Sequence, residues 1–510
     1  MRFGHRPRRR VLATQRSERG YVLVEFALLL VPLLLMAGLS VDVGSWYNRA
    51  SNIQKAADAA ALAGVVWLPN ETKAAEAAIV AAERNGFENG VDNVSVSVER
   101  VGERRLRVTI ADGRVESFFF QSLGGRTIAL ERRGTAEYIL PVPLGSPENR
   151  LGNDPATGFN PRLWASISAP YTDKANGDPF ATKCGVGDSG NGCSPANAEY
   201  RSSGYLYVVD VPAVSNRNLT VQIYDAGNYQ RSDYPRVETA DNGDVNTQFE
   251  LFRPDPTPLD PYDGLTSTFS MSGSCNGGLG RWRIGNEASS GTYKNRWVTL
   301  CTINNVPEGR YLMQVKSSGI TGYTDTSAQS GWNQFSIKAN LSGAGVQPSL
   351  YTIGDLSLFN NLPGTSGTFS STFFLAEIEP IHRGKTLEIS LFDPGDGTDP
   401  NSGTASTYRM NVLKPGGATS SCAYQTRGAA SFTNLATCSI VTRQSRSNAY
   451  NGQWLDIQLP IPDTYACTTD CWWKIRYDFQ NITTGYSPND RTVWAARIIG
   501  DPVHLVEEDL

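Results

Sequence analysis

Glu25 is the one charged side chain in the apolar run 21–41, YVLVEFALLLVPLLLMAGLSV, and it stands five residues after Gly20. A carboxylate inside an apolar helix costs on the order of 1 to 3 kcal/mol, so it is kept where something compensates it. Taken by itself, Glu25 can snorkel to water or to a nearby arginine at the membrane surface. The other reactive groups lie far downstream. Eight cysteines form four sequence neighbours, Cys184 with Cys193, Cys275 with Cys301, Cys422 with Cys438 and Cys467 with Cys471. An even count confined to one part of a chain reads as a disulfide framework made in an oxidising compartment. Zinc is the competing chemistry, but only Cys467 and Cys471 approach metal-ligand spacing, and no second Cys or His pair accompanies them. Neighbour pairing is the simplest of the 105 connectivities that eight cysteines allow.

Oxygen-rich loops offer a further chemistry. Asp393, Asp396 and Asp399 in DPGDGTDPN, and Asp241 and Asp244 in DNGD, could hold Ca²⁺, although neither follows the EF-hand spacing. The same Asp and Gly residues serve a turn equally well, Asp bonding its own backbone and Gly taking positive φ. With only three histidines, His5, His382 and His504, neither a Ser-His-Asp triad nor a His-rich metal site is supported, and no phosphate-binding glycine loop occurs. The expectation is a protein that is not an enzyme and has no cofactor other than a candidate Ca²⁺. Trp282, Trp297, Trp332, Trp454, Trp472, Trp473 and Trp494 look exposed and could stack on sugars, but Trp in β-domains also fills cores.

The elements that must carry these groups follow from patterning. The run 21–41 is long enough to cross a hydrocarbon core of about 30 Å at 1.5 Å per residue. Seven arginines at positions 2–19, against the single acid Glu18, place the amino terminus in the cytoplasm and everything beyond about Asp42 outside it. A cleaved secretory signal fits less well, because the apolar run exceeds the usual 7 to 15 residues and the helical pattern continues past it. Val43, Trp46, Ala50, Ile53, Ala57, Ala60 and Gly64 recur at three- and four-residue steps, a stripe small enough for close packing. Pro69 and Asn70 separate this helix from a second over about 71–84 that ends at Gly86. Alternation then predicts strands around Val94–Val98, Leu106–Ile110 and 127–138, with a short apolar turn beginning at Phe118-Phe119-Phe120.

Arg19-Gly20-Tyr21-Val22-Leu23-Val24-Glu25-Phe26 resembles the class III signal of type IV prepilins. The resemblance implies a prepilin peptidase cutting between Gly20 and Tyr21, and a new amine that the Glu25 of a neighbouring subunit neutralises within the bilayer. Farther along, Val41-Asp42-Val43-Gly44-Ser45-Trp46-Tyr47 and the string running from Ile53 through Gln54, Ala56, Ala57 and Asp58 to Ala63 resemble the amino-terminal domain of TadG-like proteins of the tight-adherence (Flp) pilus system. That similarity covers about residues 15–140 and includes the FF-x-x-x-x-G passage. No Asp-x-Ser-x-Ser motif is present, so the von Willebrand A metal site of some relatives is not carried over.

From Pro141 the composition turns to Gly, Ser, Thr, Asn, Asp and Pro with short alternating apolar runs. Tyr205 through Gly227 aligns without a gap on Phe373 through Gly395. The register continues as Phe249–Pro254 on Met410–Pro415, Trp297 on Trp454, and Tyr311–Val315 on Cys471–Ile475, which implies a duplication.

The expected fold is α+β: an amino-terminal transmembrane helix with a small pilin-like α/β domain, then tandem all-β domains of sandwich or jelly-roll type. The boundaries are 1–20 for a basic tail, 21–41 for the span, 42–150 for the pilin-like domain, 155–345 for the first β-domain and 346–505 for its duplicate. A net charge of −4 with no basic stripe argues against nucleic acid. The expected function is that of a single-pass, membrane-anchored minor pilin or pilus-assembly protein with its bulk extracellular or periplasmic. Its partners are the membrane, other pilins, Tad assembly components and the prepilin peptidase. The alternative is an adhesin whose β-domains bind a surface glycan or protein and whose helix is only an anchor; a secreted hydrolase is a third reading.

Overall fold

The computed structural model describes residues 19–506 except 69, 103, 121–126, 140–141, 155–162, 173–181, 186–195, 215, 226–227, 230–237, 240–245, 255–263, 272–274, 276–280, 285–295, 326–331, 344, 362–365, 396–406, 445–446, 483–488 and 501–502. The chain divides into two compact units, one of residues 1–139 with 503–510 and one of residues 140–502.

In the first unit, helix α1 (Arg19–Val65) is unbroken for 47 residues, with Pro32 inside it. That is about 70 Å at 1.5 Å per residue. Residues 22–37 are exposed, Leu23, Phe26, Leu28 and Met36 among them, whereas Gly38 meets Phe119 and Ala50, Ile53, Ala57, Ala60 and Ala61 are buried. The change occurs where side chains shrink from Leu and Val to Ala. Helix α2 (Glu71–Arg84) is capped by Asn70, whose side chain accepts the Lys73 N–H, and buries Ala74, Ala78 and Ala82. It rests on Gly64, where a Cβ would lie 2.7 Å from the Ala74 carbonyl oxygen and 3.0 Å from the Ala78 Cβ.

Strands β1 (Val94–Gly102), β2 (Arg105–Val115) and β3 (Ile128–Tyr138) form an antiparallel sheet against α1. Leu106, Val108 and Ile110 point inward at alternate positions of β2, as a half-buried strand requires. Where β3 crosses the helix, Gly134 leaves room for no side chain: a Cβ there would stand 2.6 Å from the Ala57 carbonyl carbon. The contact is backbone against backbone, and it fixes the height of the sheet on α1. A fourth strand comes from the far end of the chain. Val503–Leu505 pairs with β3, Val503 opposite Tyr138 and Leu505 opposite Ala136. The second unit is therefore an insertion between two neighbouring strands of one sheet, and His504 belongs to that sheet rather than to a β-domain ending at residue 505.

The second unit is built on two eleven-stranded sheets. In its first half the strand order is Arg281–Ile284, Thr247–Phe252, Gly309–Lys316, Tyr205–Val211 in one sheet and Trp297–Ile303, Leu219–Asp225, Trp332–Leu341, Leu163–Ser168 in the other. The second half repeats it as Ser439–Gln444, Thr407–Leu413, Trp472–Ile482, Gly367–Glu377 and Trp454–Pro460, Thr386–Phe392, Asn489–Ile499, Asp355–Asn361. Successive strands pass from one sheet to the other at every step but one, which makes each half an eight-stranded jelly roll. The segments aligned by sequence occupy equivalent strands.

The two jelly rolls share both sheets. Leu163–Ser168 pairs antiparallel with its own counterpart Asp355–Asn361, and the Ser166 and Ser357 hydroxyls meet at 2.8 Å. In the other sheet, Ser349–Thr352 and Leu144–Ser146 lie between the halves and join them. This alters the expected boundaries. The pilin-like domain ends at Ile139 rather than at residue 150, because Leu144–Ser146 is a strand of the β-body, and the duplicated halves make one compact unit with a shared core.

Gly134→Ala forces the β3 backbone away from α1 and is expected to destabilise the amino-terminal unit by about 1 to 3 kcal/mol. Hydrogen exchange on the detergent-solubilised full chain would show it as faster exchange of β3 and residues 50–65. Gly44→Ala, which meets no atom within 4 Å, leaves that exchange unchanged.

Candidate functional site

Gly20 and Tyr21 lie at the start of α1, and their side chains are outside the described residues. Glu25 follows on the exposed part of the same helix. Geometry thus leaves Glu25 open to a bilayer or a neighbouring chain.

The span ends in a carboxylate that composition alone did not single out. Asp42 is wholly buried, and its two oxygens accept the backbone N–H groups of three consecutive residues: Phe118 at 2.7 Å, Phe119 at 3.0 Å and Phe120 at 2.6 Å. Trp46, one turn on, donates its indole N–H to the Ser117 hydroxyl at 3.2 Å and meets the Phe120 ring edge-on at 5.9 Å. Above them Arg49 pairs with the buried Asp112 at 2.7 Å and stacks over Phe87. Val43, expected on the packed stripe, is instead half exposed, because the stripe begins at Asp42 and not beside it.

In the β-body, Cys275–Cys301, Cys422–Cys438 and Cys467–Cys471 are disulfides. Closing the 16-residue separation of Cys422–Cys438 is worth roughly 3 kcal/mol. Cys184 is buried and disulfide-bonded, while Cys193 lies outside the described residues. Asp393 is buried with φ 54°, accepts the Gly452 N–H at 2.6 Å and thereby closes a turn; Asp396, Asp399, Asp241 and Asp244 lie outside the described residues. His382 is buried in a short 3₁₀ turn.

The tryptophans divide in a way that corrects their exposed look. Trp472, Trp473 and Trp494 are buried in the β-body, because the strands that carry them lie within the shared sheets. Trp297 and Trp454, duplicates of each other, are half-buried, and each has a cation over its ring: Lys338 at 5.4 Å and Arg427 at 4.4 Å. The side chains of Trp282 and Trp332 are outside the described residues.

Trp454 borders an open cavity of about 920 Å³ between the outer face of the second jelly roll and residues 198–201 of the first half. Polar residues alternate there with the core positions Leu387, Ile389 and Leu391. Asp456 accepts from Arg427 at 2.8 and 3.1 Å and from Ser390 at 2.7 Å. Glu388 accepts from Arg497 at 2.7 Å and Gln458 at 3.1 Å. Desolvation lowers the Arg427 pKa, but the bonds to Asp456 outweigh it and hold the guanidinium above its ordinary value. Glu388 and Asp456 are each paired with an arginine, and the whole lining sets Glu199, Asp355, Glu388 and Asp456 against Arg201, Arg427 and Arg497, so the cavity presents fixed planar donors and acceptors with little net charge, a surface suited to a neutral polyol. The signal in sequence was the alternation in Leu387-Glu388-Ile389-Ser390-Leu391 and Trp454-Leu455-Asp456-Ile457-Gln458, which marks one polar face without saying that the two strands adjoin.

Residues 20–70, from Gly20 through the junction of α1 and α2, match the family described as "Putative Flp pilus-assembly TadE/G-like". Residues 20–70 are a TadE/G-like segment. The match holds Glu25, Asp42 and the alanine seam, and it stops before the sheet. No curated protein matches the chain. Among solved structures, a Paenibacillus xanthan lyase is similar at 9% identity and TM-score 0.15 over 79% of this chain, which spans 35% of the lyase. PNGF-II is similar at 10% identity and TM-score 0.15, with 79% of this chain and 81% of that one covered. The VP2 subviral particle of infectious bursal disease virus is similar at 14% identity and TM-score 0.10, with 72% and 81% covered. Scores this low carry no argument about fold or activity.

Proposed function

We propose that the chain is a membrane-anchored pilus-assembly protein of a Tad (Flp) system, with its amino terminus in the cytoplasm and its double jelly roll outside. It has no catalytic step of its own. The observation that carries this reading is the single helix α1, whose lipid-compatible first half passes without a break into an alanine seam gripped by β2, β3 and α2. A helix that is apolar all round at one end and one-sided at the other is suited to stand among the helices of other pilins while holding a folded domain at a fixed height. Prepilin peptidase would cut after Gly20, and Glu25 would then receive the Tyr21 amine of a neighbouring subunit. Amino-terminal sequencing of the mature protein is expected to begin at Tyr21. Glu25→Ala is expected to abolish pilus assembly while leaving export intact. A chain that begins at Met1, together with normal piliation in Glu25→Ala, would leave only a plain anchor.

A second role, surface adhesion, is favoured by the polar cavity beside Trp454. Its ligand would be a neutral glycan held by Glu388, Asp456, Gln458 and Arg497 through bonds in the plane of each group, with stacking on Trp454 limited by Arg427. The full chain in lipid nanodiscs is expected to retain defined glycans on an array. Arg497→Ala, which removes a charge-assisted partner worth roughly 1.5 to 3 kcal/mol, should weaken that retention by about tenfold or more. No retained glycan, or equal retention by Arg497→Ala, would remove adhesion through this cavity.

A further inference from the structure

The turn that Asp42 holds lies lower on α1 than a water-facing turn should. Phe119 packs against Gly38, where a Cβ would stand 2.7 Å from its ring. Gly38 precedes the end of the apolar run at Val41 by about one helical turn, so the Phe119 ring sits at the depth of the hydrocarbon edge. Phe118 and Phe119 are nevertheless 68% and 48% exposed. Two exposed phenylalanines, level with a membrane-spanning segment and continuous with its apolar surface, are matched by acyl chains rather than by water.

We propose that the Ser117–Phe120 turn enters the outer leaflet beside α1, with the Phe118 and Phe119 rings among acyl chains. Irregular backbone survives at that depth only if its polar groups are satisfied, and three of them are: the N–H groups of Phe118, Phe119 and Phe120 all end on Asp42. The same bonds shield the Asp42 charge from lipid, since both its oxygens face the turn. Flanking groups mark the level of the headgroups. Trp46 and the exposed Tyr47 occupy the position of an interfacial aromatic belt, and the charged Arg114 and Glu116 precede the turn on its exposed side. Lipid contact through a second element would stop α1 from sliding or rotating in the bilayer and so set the height of everything that β2 and β3 carry.

The proposal rests on α1 spanning the membrane, and photo-cross-linking separates the two. The full chain carrying p-benzoylphenylalanine at one site is reconstituted in phosphatidylcholine–phosphatidylglycerol vesicles with tritiated acyl chains. Val31→p-benzoylphenylalanine reports the span, Phe118→p-benzoylphenylalanine the turn, and Val80→p-benzoylphenylalanine, on α2, the aqueous side. Phe118 is exposed, so the probe disturbs no core, and Phe119→p-benzoylphenylalanine repeats the measurement from the ring on Gly38. The expected result is lipid adduct at 31, 118 and 119 and none at 80. Lipid adduct at 31 without any at 118 and 119, or adduct at 118 to a second copy of the chain, overturns the inserted turn and leaves the anchor standing. No lipid adduct at 31 refutes the anchor, and the inserted turn with it.

Discussion

The close approach of Gly134 to the backbone of Ala57 is the constraint from which the rest of the amino-terminal unit follows. It exists because both partners lack bulk at the crossing point, and it gives β3 one position along a 47-residue helix that would otherwise offer many. Once β3 is placed, β2 is placed beside it by nine paired positions. The loop between them then reaches down to Asp42, Asp112 meets Arg49, and Leu106 reaches Gly64. Polar contacts lie toward the span and apolar ones away from it, so the sheet is held on the helix at both ends by different physics. The near-absence of large side chains in the seam means that dispersion and backbone proximity replace the burial of bulky residues.

The β-body uses the opposite strategy. Its core is made of large side chains, Trp473, Trp494, Tyr408, Tyr477 and Phe479 among them, between sheets built by duplication. A jelly roll leaves an open edge on each sheet, and such edges invite pairing with other chains. Here the inner edges are consumed by the duplicate: Leu163–Ser168 pairs with Asp355–Asn361, and Ser349–Thr352 with Leu144–Ser146 fill the other gap. Because the chain leaves the first sheet at β3 and returns to it at Val503–Leu505, both ends of the body are anchored to neighbouring strands. The disulfides Cys275–Cys301 and Cys422–Cys438 tie into this core, where Cys301, Cys422 and Cys438 are buried.

Much of this was legible in the residues. The span, the alanine seam, the Asn70 cap and the alternation in β1 and β2 are local patterns, and local patterns survive folding because one helix face or one strand face carries them. The duplication was legible because equivalent strands need equivalent apolar spacing, down to Trp297 and Trp454. What stayed hidden depends on contacts distant in sequence. Nothing near Leu505 says that it joins a strand some 370 residues earlier, and Trp472, Trp473 and Trp494 look like surface aromatics until the neighbouring strands cover them. Asp42 was visible as part of a motif, but its role needs the turn at Phe118–Phe120 to be brought to it. The polar cavity likewise requires Thr386–Phe392 and Trp454–Pro460 to lie side by side, which the register of the sheet decides.

The proposed arrangement, a membrane-held helix with an outward body, makes a demand on topology that one measurement meets directly. Protease is added to intact spheroplasts of cells making the chain with Gly20→Ala, which blocks cleavage and keeps the arginine-rich tail, and antibodies against that tail and against the β-body follow the fragments. An outward-facing body is digested or shaved from the surface while the tail stays protected until the membrane is broken. A body that resists protease until lysis, with a tail open to it beforehand, would contradict the orientation on which the proposed pilus-assembly role depends.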